Sequence, residues 1–500
     1  MAWVEIHDFS YTYPGEQLPS LRDINLTIHK NEFVVVAGAS GSGKSTLGKA
    51  LAGFLFQDEE PNFTGSIFVN RTDMTQVPLY SASQRVAYVQ QNPEDQFCTL
   101  TVLDEIAFGL ENACMSPDEI ERRTDRALAV VQGQNLRDRQ LATLSGGEKQ
   151  KIAIATMLAL EPDVLILDEP TSNLDPQATQ HVFDTLHGLK SQTDLTVIII
   201  EHKLSQLRSL NPICITLEGG KVISEQHLNE RAPAIIASYT HHTKNKVAPA
   251  EQAKRPLLDV KNLHLNLNGH AILHDITFRL VPGELVAVMG PNGSGKSTLL
   301  RTLMGFHQPQ QGLLTAFGGD LAQTKTSALV KDIGFIFQNP DHQLFTQSVW
   351  DEATLLLKNL KLDHEENLEI ARASLSEIGL VDRLGDHPQR LSYGEKRRLN
   401  LLAVILHKPA LLLIDEFLIG QDIANAHKWM RVLRDHADQG HAILLVNHHA
   451  DLTKAYCDRV IFLDAGKLIL DEPASTAFET LAGKGFGAFL PRQEEGCVHA

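Results

Sequence analysis

Short, almost unbroken apolar runs recur along the chain, and they recur in pairs. FVVVA (Phe33–Ala37) is matched by LVAVM (Leu285–Met289), and VLILD (Val164–Asp168) by LLLID (Leu411–Asp415). Runs this short, closed by glycine or by acids, predict strands buried on both faces, as in the parallel core of an α/β fold. Each half opens instead on alternation, WVEIHDFSY (Trp3–Tyr11) and LLDVKNLHL (Leu257–Leu265), which predicts strands with one face in the core. LEGGKVISEQ (Leu217–Gln226) reads as a hairpin turning at Gly219–Gly220, and FLDAGKLILDEP (Phe462–Pro473) repeats that element. Between the halves, SYTHHTKNKVAPAEQAKRP is polar, holds two prolines and has no hydrophobic period, so it reads as a linker.

The expected organisation is a first domain over residues 1–237, a linker over 238–256, a second domain over 257–475 and a tail over 476–500. The tail reads as a short helix that then frays. Landmarks recur at an offset that drifts from 252 residues (Gly38 to Gly290) to 247 (Asp168 to Asp415), so the copies differ by small insertions and deletions. The richest apolar stretch, Leu399–Gly420, is broken by His407, Lys408, Pro409, Asp415 and Glu416, so no membrane span is expected. No basic and apolar leader follows Met1.

Charge and cysteine content narrow the classes. A net charge of −16 argues against a nucleic-acid partner, which is held mainly by phosphate neutralisation. Five scattered cysteines without a C-x-x-C pair suggest neither a disulfide frame nor a zinc site and fit a reducing compartment. Paired histidines such as His241–His242 lack a third ligand at a metal-binding spacing.

After the first apolar run of each half comes a glycine-rich loop with one lysine. The first is Gly38, Ala39, Ser40, Gly41, Ser42, Gly43, Lys44, Ser45, Thr46. The second is Gly290, Pro291, Asn292, Gly293, Ser294, Gly295, Lys296, Ser297, Thr298. Strand, G-x-x-x-x-G-K-[ST], then helix is a phosphate cradle: glycines let backbone N–H groups converge, and the helix N-terminus adds positive charge. Lys44 and Lys296 would reach the outer phosphates, and Ser45 and Ser297 would hold Mg²⁺. The later strands end in Asp168–Glu169 and Asp415–Glu416. Paired acids can simply mark a strand's end. Placed over a hundred residues after a phosphate loop, twice, they read as a metal ligand (Asp168, Asp415) and a water-activating base (Glu169, Glu416).

Upstream of each acidic pair lies LSGGEKQ (Leu144–Gln150) or LSYGEKR (Leu391–Arg397). Phosphate loop, glutamine, L-S-x-G-E, D-E strand and histidine, in that order, resemble the ATP-binding cassette of ABC transporters over essentially the whole chain. The resemblance implies two tandem P-loop NTPase domains of α/β class, each with a mainly parallel core, an antiparallel β subdomain and a helical signature subdomain. It implies ATP and Mg²⁺ as ligands and an intramolecular pair of cassettes facing head to tail. In that arrangement Ser145, Gly146 and Gly147, or Ser392 and Gly394, approach the nucleotide held by the other half. By the same resemblance Gln91 and Gln338 are glutamines sensing Mg²⁺ and water, His202 and His448 are switch histidines, and Tyr13 stacks on adenine.

The halves depart from the family unequally. Leu267 falls where Tyr13 sits, Tyr393 replaces the first signature glycine, and PTSNLD after Glu169 becomes FLIGQD after Glu416, with only Asp422 kept. Q-N-P-x-x-Q occurs at Gln91–Gln96 and Gln338–Gln343 and resembles the cassettes of energy-coupling-factor importers. There this segment shapes a groove for a separate transmembrane subunit. The resemblance implies an ATPase on the cytoplasmic face of the cell membrane that drives uptake of a vitamin, vitamin precursor or metal ion. Its partners would be a transmembrane coupling protein and a substrate-binding membrane component. Phe97 and Phe345, just beyond the motif, are candidates for apolar docking contacts and equally for core residues. Two rivals stand beside this reading: a tandem sugar-importer ATPase, which usually has a degenerate second loop, and a ribosome-associated ABC protein, which typically carries a long charged linker.

Overall fold

A computed structural model describes residues 2–228 and 255–491, apart from 17, 40, 58–60, 173, 202–203 and 419–422. The chain divides into two compact units, Met1–Thr240 and His241–Ala500. Most of the expected linker, together with Ser40, His202 and Asp422, lies outside the described residues.

The first unit opens on β1 (Ala2–Tyr11) and β2 (Leu21–His29), an antiparallel pair, followed by β3 (Phe33–Ala37), the apolar run before the phosphate loop. Next come β4 (Phe63–Val69), β5 (Thr72–Asp73), β6 (Val86–Val89), β7 (Val164–Asp168) and β8 (Thr196–Ile200). The hairpin β9 (Ile213–Glu218) and β10 (Lys221–His227) closes the unit. One sheet runs β2-β1-β4-β5, the other β10-β9-β3-β8-β7-β6, in which β9, β3, β8, β7 and β6 are mutually parallel.

Alternation along β3 explains why this unit has two cores. Val34 and Val36 pack with the antiparallel strands and the helix Lys44–Leu51. Phe33, Val35 and Ala37 pack toward the helices Val102–Asn112, Gly146–Ala159 and Pro176–Gln192. Helix starts follow local caps: Thr101, Ser116 and Asp175 each accept a backbone N–H of the following turn, and Pro117 and Pro176 sit just inside.

The second unit repeats the plan with β11 (Leu258–Leu267), β12 (His270–Leu280), β13 (Leu285–Met289), β14 (Gln311–Ala316), β15 (Gly319–Asp320) and β16 (Ile333–Ile336). It ends with β17 (Leu411–Ile414), β18 (Ala442–Val446), β19 (Arg459–Asp464) and β20 (Lys467–Pro473). Here β12 touches β20 through His274 and Lys467, so the two sheets join as one ten-stranded sheet. β11 and β12 meet at Asn268–Gly269, both at positive φ, a two-residue hairpin turn; the first unit has the longer Thr12–Ser20 connection.

The segment read as a tail goes further than a fraying helix. Ala474–Gly483 is helical, with Ala477, Phe478 and Leu481 buried in the second unit's core. Phe486 and Phe489 continue that packing against Phe462, at ring separations of 4.6 and 5.2 Å. Glycine-spaced aromatics hid this in the sequence, because irregular backbone carries no hydrophobic period.

Candidate functional site

Both phosphate loops lie at the C-terminal ends of parallel strands, where open α/β sheets bind ligands. Gly38 and Gly290 pass so close to the neighbouring strand that a Cβ would meet the carbonyl of Leu217 at 2.3 Å or of Leu463 at 2.0 Å. The following helices, Lys44–Leu51 and Lys296–Leu303, start at left-handed Gly43 and Gly295 with no side-chain cap. Their first-turn N–H groups therefore face the loop. Lys44 Nζ donates to the carbonyls of Gly38 and Ala39 (3.0 and 2.8 Å), and Lys296 Nζ to those of Gly290 and Pro291 (2.9 and 2.8 Å). The buried hydroxyls of Ser42 and Ser294 have no partner among the described residues. This donor set fits phosphate oxygens.

The acidic pairs close the site. Ser45 Oγ donates to Asp168 Oδ1 at 3.1 Å, and Ser297 Oγ to Asp415 Oδ1 at 2.8 Å. Two hard oxygens held together from two elements fit Mg²⁺. Glu169 and Glu416 follow with φ of 45° and 51°, a left-handed conformation that non-glycine residues avoid and that costs on the order of 1–3 kcal/mol. Gln91 Nε2 donates to Glu169 Oε2 at 2.8 Å, and Gln338 Nε2 to Glu416 Oε2 at 2.6 Å. His448 Nε2 lies 2.8 Å from Glu416 Oε1. His202 is outside the described residues.

The supports differ between units. Tyr88 donates its hydroxyl to Asp168 Oδ2 at 2.5 Å; at the matching place stands Phe335, and Asp415 Oδ2 is buried without a partner among the described residues. Burial raises the pKa of both aspartates, against the hydrogen bonds they receive, and carries Asp415 to about 6. Burial and the charge of Asp168 push the Tyr88 phenol far above its ordinary range. Burial alone would raise Glu416, but its hydrogen bond to His448 and the nearby charges of His448, Lys296 and Arg397 outweigh it and leave the carboxyl below its usual value. In the first unit Thr171 donates to the buried Glu201 at 2.6 Å; Leu418 and Asn447 occupy those places in the second.

The remaining expected residues sit as follows. Ser145 and Ser392 are N-caps of the helices Gly146–Ala159 and Tyr393–Ile405, each in a capping box with Glu148 or Glu395. A Cβ on Gly147 would lie 2.9 Å from that of Ala178, whereas the second unit's helix begins with Tyr393 and Gly394. Tyr13 turns its hydroxyl to Thr46 Oγ1 at 3.3 Å, while Leu267 packs into the second unit's core.

Q-N-P-x-x-Q is largely self-supporting. Asn92 and Asn339 cap the short turns that follow, and Gln96 and Gln343 accept from the backbone of Gln90 and Phe337. Glu94 pairs with Lys149, and Asp341 with Lys396 at 2.7 Å, tying the motif to the signature helix. Phe97 and Phe345 are not equivalent positions. The backbone N–H groups of Cys98 and Thr99 donate to Glu105, and those of Phe345 and Thr346 to Glu352, so Phe345 matches Cys98. Phe97 packs on the first core; Phe345 is 70 % exposed and Leu100 81 %.

Comparison with known proteins decides the family. The model of the ABC transporter family matches residues 21–172 and 273–418. This chain belongs to the ABC transporter family. It is an ATP-binding protein with two cassettes and an ATPase. Among similar proteins is a proposed ABC transporter ATP-binding protein of Methanosarcina mazei, 32% identical, covering 95% of this chain and 90% of that protein. Another is a Bacillus subtilis protein named for a proposed role, HMP/thiamine import ATP-binding protein YkoD, 32% identical over 96% of this chain and 93% of its own length. A similar solved structure is cbiO1 from Clostridium perfringens, part of the ABC transporter complex cbiONQ, with TM-score 0.42 and 28% identity over 46% of this chain and 90% of that one. ABC ATP-binding subunits typically work with membrane subunits, and no helix among the described residues of this one is long and apolar enough to cross a membrane.

Proposed function

We propose that this ABC ATPase is the energy-coupling subunit of an energy-coupling-factor importer, bound to the cytoplasmic face of the membrane and driving uptake of a vitamin, vitamin precursor or metal ion. The observation that carries the reading is the repeated Q-N-P-x-x-Q segment, built the same way in both units and hydrogen-bonded through its first glutamine to Glu169 or Glu416. A docked membrane helix that moved this segment would move the hydrogen-bond partner of the glutamate. The role for which the Bacillus subtilis relative is named favours a thiamine-type precursor as cargo.

In this reading Lys44 and Lys296 leave their loop carbonyls for the β- and γ-phosphates, joined by the N–H groups of the loop and helix start. Asp168 with Ser45, and Asp415 with Ser297, would hold Mg²⁺, which neutralises charge on the phosphates when bound. Glu169 and Glu416 orient the attacking water and take its proton, with Gln91 and Gln338 fixing the carboxylates. Tyr13 serves the adenine, and His202 and His448 the γ-phosphate. The family pairing implied by the sequence adds Ser145, Gly146 and Gly147, or Ser392 and Gly394, from the opposite cassette.

Docking is assigned to Phe345 and Leu100, not Phe97. The chain is co-expressed with the transmembrane coupling protein and the substrate-binding membrane component of an energy-coupling-factor importer, and complex recovery and uptake of labelled thiamine precursor are measured. Phe345→Glu and Leu100→Glu should reduce recovery at least threefold with ATP affinity unchanged. Full recovery in both, or co-purification with ribosomal subunits instead of a polytopic membrane protein, would overturn the reading.

A further inference from the structure

Tyr393 departs from the signature pattern, and the reason lies one helical turn on. Arg397 is 2 % exposed, a guanidinium inside the protein that hydrogen-bonds no carboxylate among the described residues. Its donors go instead to carbonyls and a phenol: Nη1 to the main-chain oxygen of Glu416 at 2.6 Å, Nη2 to the main-chain oxygen of Gln338 at 2.8 Å and to the Tyr393 hydroxyl at 2.7 Å. The Tyr393 ring also lies under the guanidinium, 4.8 Å from its carbon. Four residues apart on one helix, the two side chains share a face. The planar fork is what allows one side chain to hold two carbonyls in fixed relation.

The first unit differs: Gly146 and Gln150 stand at the matching places, and Gln150 is buried with its amide nitrogen unpartnered among the described residues. Both departures thus fall together in one unit: the ring that replaces a signature glycine and the arginine that it supports.

We propose that Arg397, steadied by Tyr393, is a positioning residue that clamps the second unit's signature helix to its own glutamine loop and to the backbone that carries Glu416. The proposal rests on Glu416 being the base of that site. Arg397 reaches the carbonyl of Glu416, not its carboxylate, so it fixes the strained left-handed backbone from which the carboxylate projects. Loss of the clamp should misplace the base while leaving the phosphate cradle intact. Turnover falls and nucleotide affinity does not.

The test uses the full chain in its membrane complex. Arg397→Gln places the first unit's residue at the site, and Arg397→Lys keeps charge without the fork. Both variants lose charge-assisted hydrogen bonds to the two carbonyls, so each should lower kcat about tenfold with KM for ATP within about twofold. Tyr393→Gly should give a smaller loss of the same kind. In a Glu416→Gln background Arg397→Gln should add nothing, whereas in a Glu169→Gln background its full effect should remain. Amide exchange over residues 336–341 gives the same reading where turnover is too low to measure: faster in Arg397→Gln, with or without Glu416→Gln. Additive loss with Glu416→Gln, a rise in KM matching the fall in kcat, or unchanged exchange would each overturn the clamp. A Glu416→Gln variant with undiminished turnover would instead remove the assignment of the base.

Discussion

The two cassettes keep the same atoms around the phosphates and build different supports behind them. Lysine, serine, aspartate, glutamate and glutamine repeat with contacts that agree within a few tenths of an ångström. Behind them, Tyr88 donates to Asp168 Oδ2, whereas among the described residues Asp415 Oδ2 has no donor and Asp415 is held through Oδ1 by Ser297; Thr171 with Glu201 braces the first unit, and Arg397 with Tyr393 the second. Groups that face the reacting phosphates tolerate little change, because a shift of a fraction of an ångström alters rate. Groups behind them can be exchanged, provided something fixes the same backbone. The two sites thus keep one set of residues on different supports.

The largest effect tests what the units share. Lys44→Ala with Lys296→Ala removes both charged donors and should lower Mg²⁺-dependent ATPase activity on the order of 100-fold; near-normal activity in the double variant would break the common plan. The adenine end is where the units should differ most in binding. Tyr13→Ala should weaken nucleotide binding to the first unit by about tenfold, within the roughly 1–3 kcal/mol of an aromatic–base stack, with kcat little changed. Leu267→Ala in the second unit should leave affinity within twofold.

Tyr88 and Phe335 differ by one oxygen, so exchanging them isolates one support. Tyr88→Phe leaves Asp168 Oδ2 without its donor, a neutral hydrogen bond of about 1 kcal/mol. The Mg²⁺ concentration needed for half-maximal nucleotide binding at the first unit should shift a few-fold. No shift would show that the phenol only fills space.

The smallest effect lies away from nucleotide. His436 stacks on His441 at 4.0 Å, and burial together with His441, His407 and Lys408 lowers its pKa to about 4. The unfolded chain then binds more protons between that value and the ordinary 6.5, so stability is full above pH 6.5 and falls as pH drops toward 4. Thermal unfolding should show the second unit losing stability first on acidification, and His436→Gln should flatten that slope. An unchanged slope would exclude His436 as its source.

How much of this was legible in the sequence depended on how local each feature is. The phosphate loops, the acidic strand ends and the hairpins are written in a few adjacent residues, and chain order alone placed them on strand, loop and helix. Supports that close over distance were not legible. Tyr88 meets Asp168 across 80 residues of chain, and the only signal was a Tyr/Phe difference three places before each Q-N-P. Arg397 stood in plain view within L-S-Y-G-E-K-R, yet no pattern reveals that its side chain turns inward. Phe97 and Phe345 look equivalent in spacing, but the hydrogen bonds to Glu105 and Glu352 set the register one residue apart.

We propose that the two sites are unequal, with the site on Lys296 the faster. The carbonyl of that site's glutamate accepts from Arg397, where the first unit has Gln150 at the matching place. The direct measurement is ATP turnover at saturating nucleotide in Glu169→Gln and in Glu416→Gln, side by side in the membrane complex. The account predicts the larger loss of kcat in Glu416→Gln. Equal losses, or a larger loss in Glu169→Gln, would contradict it.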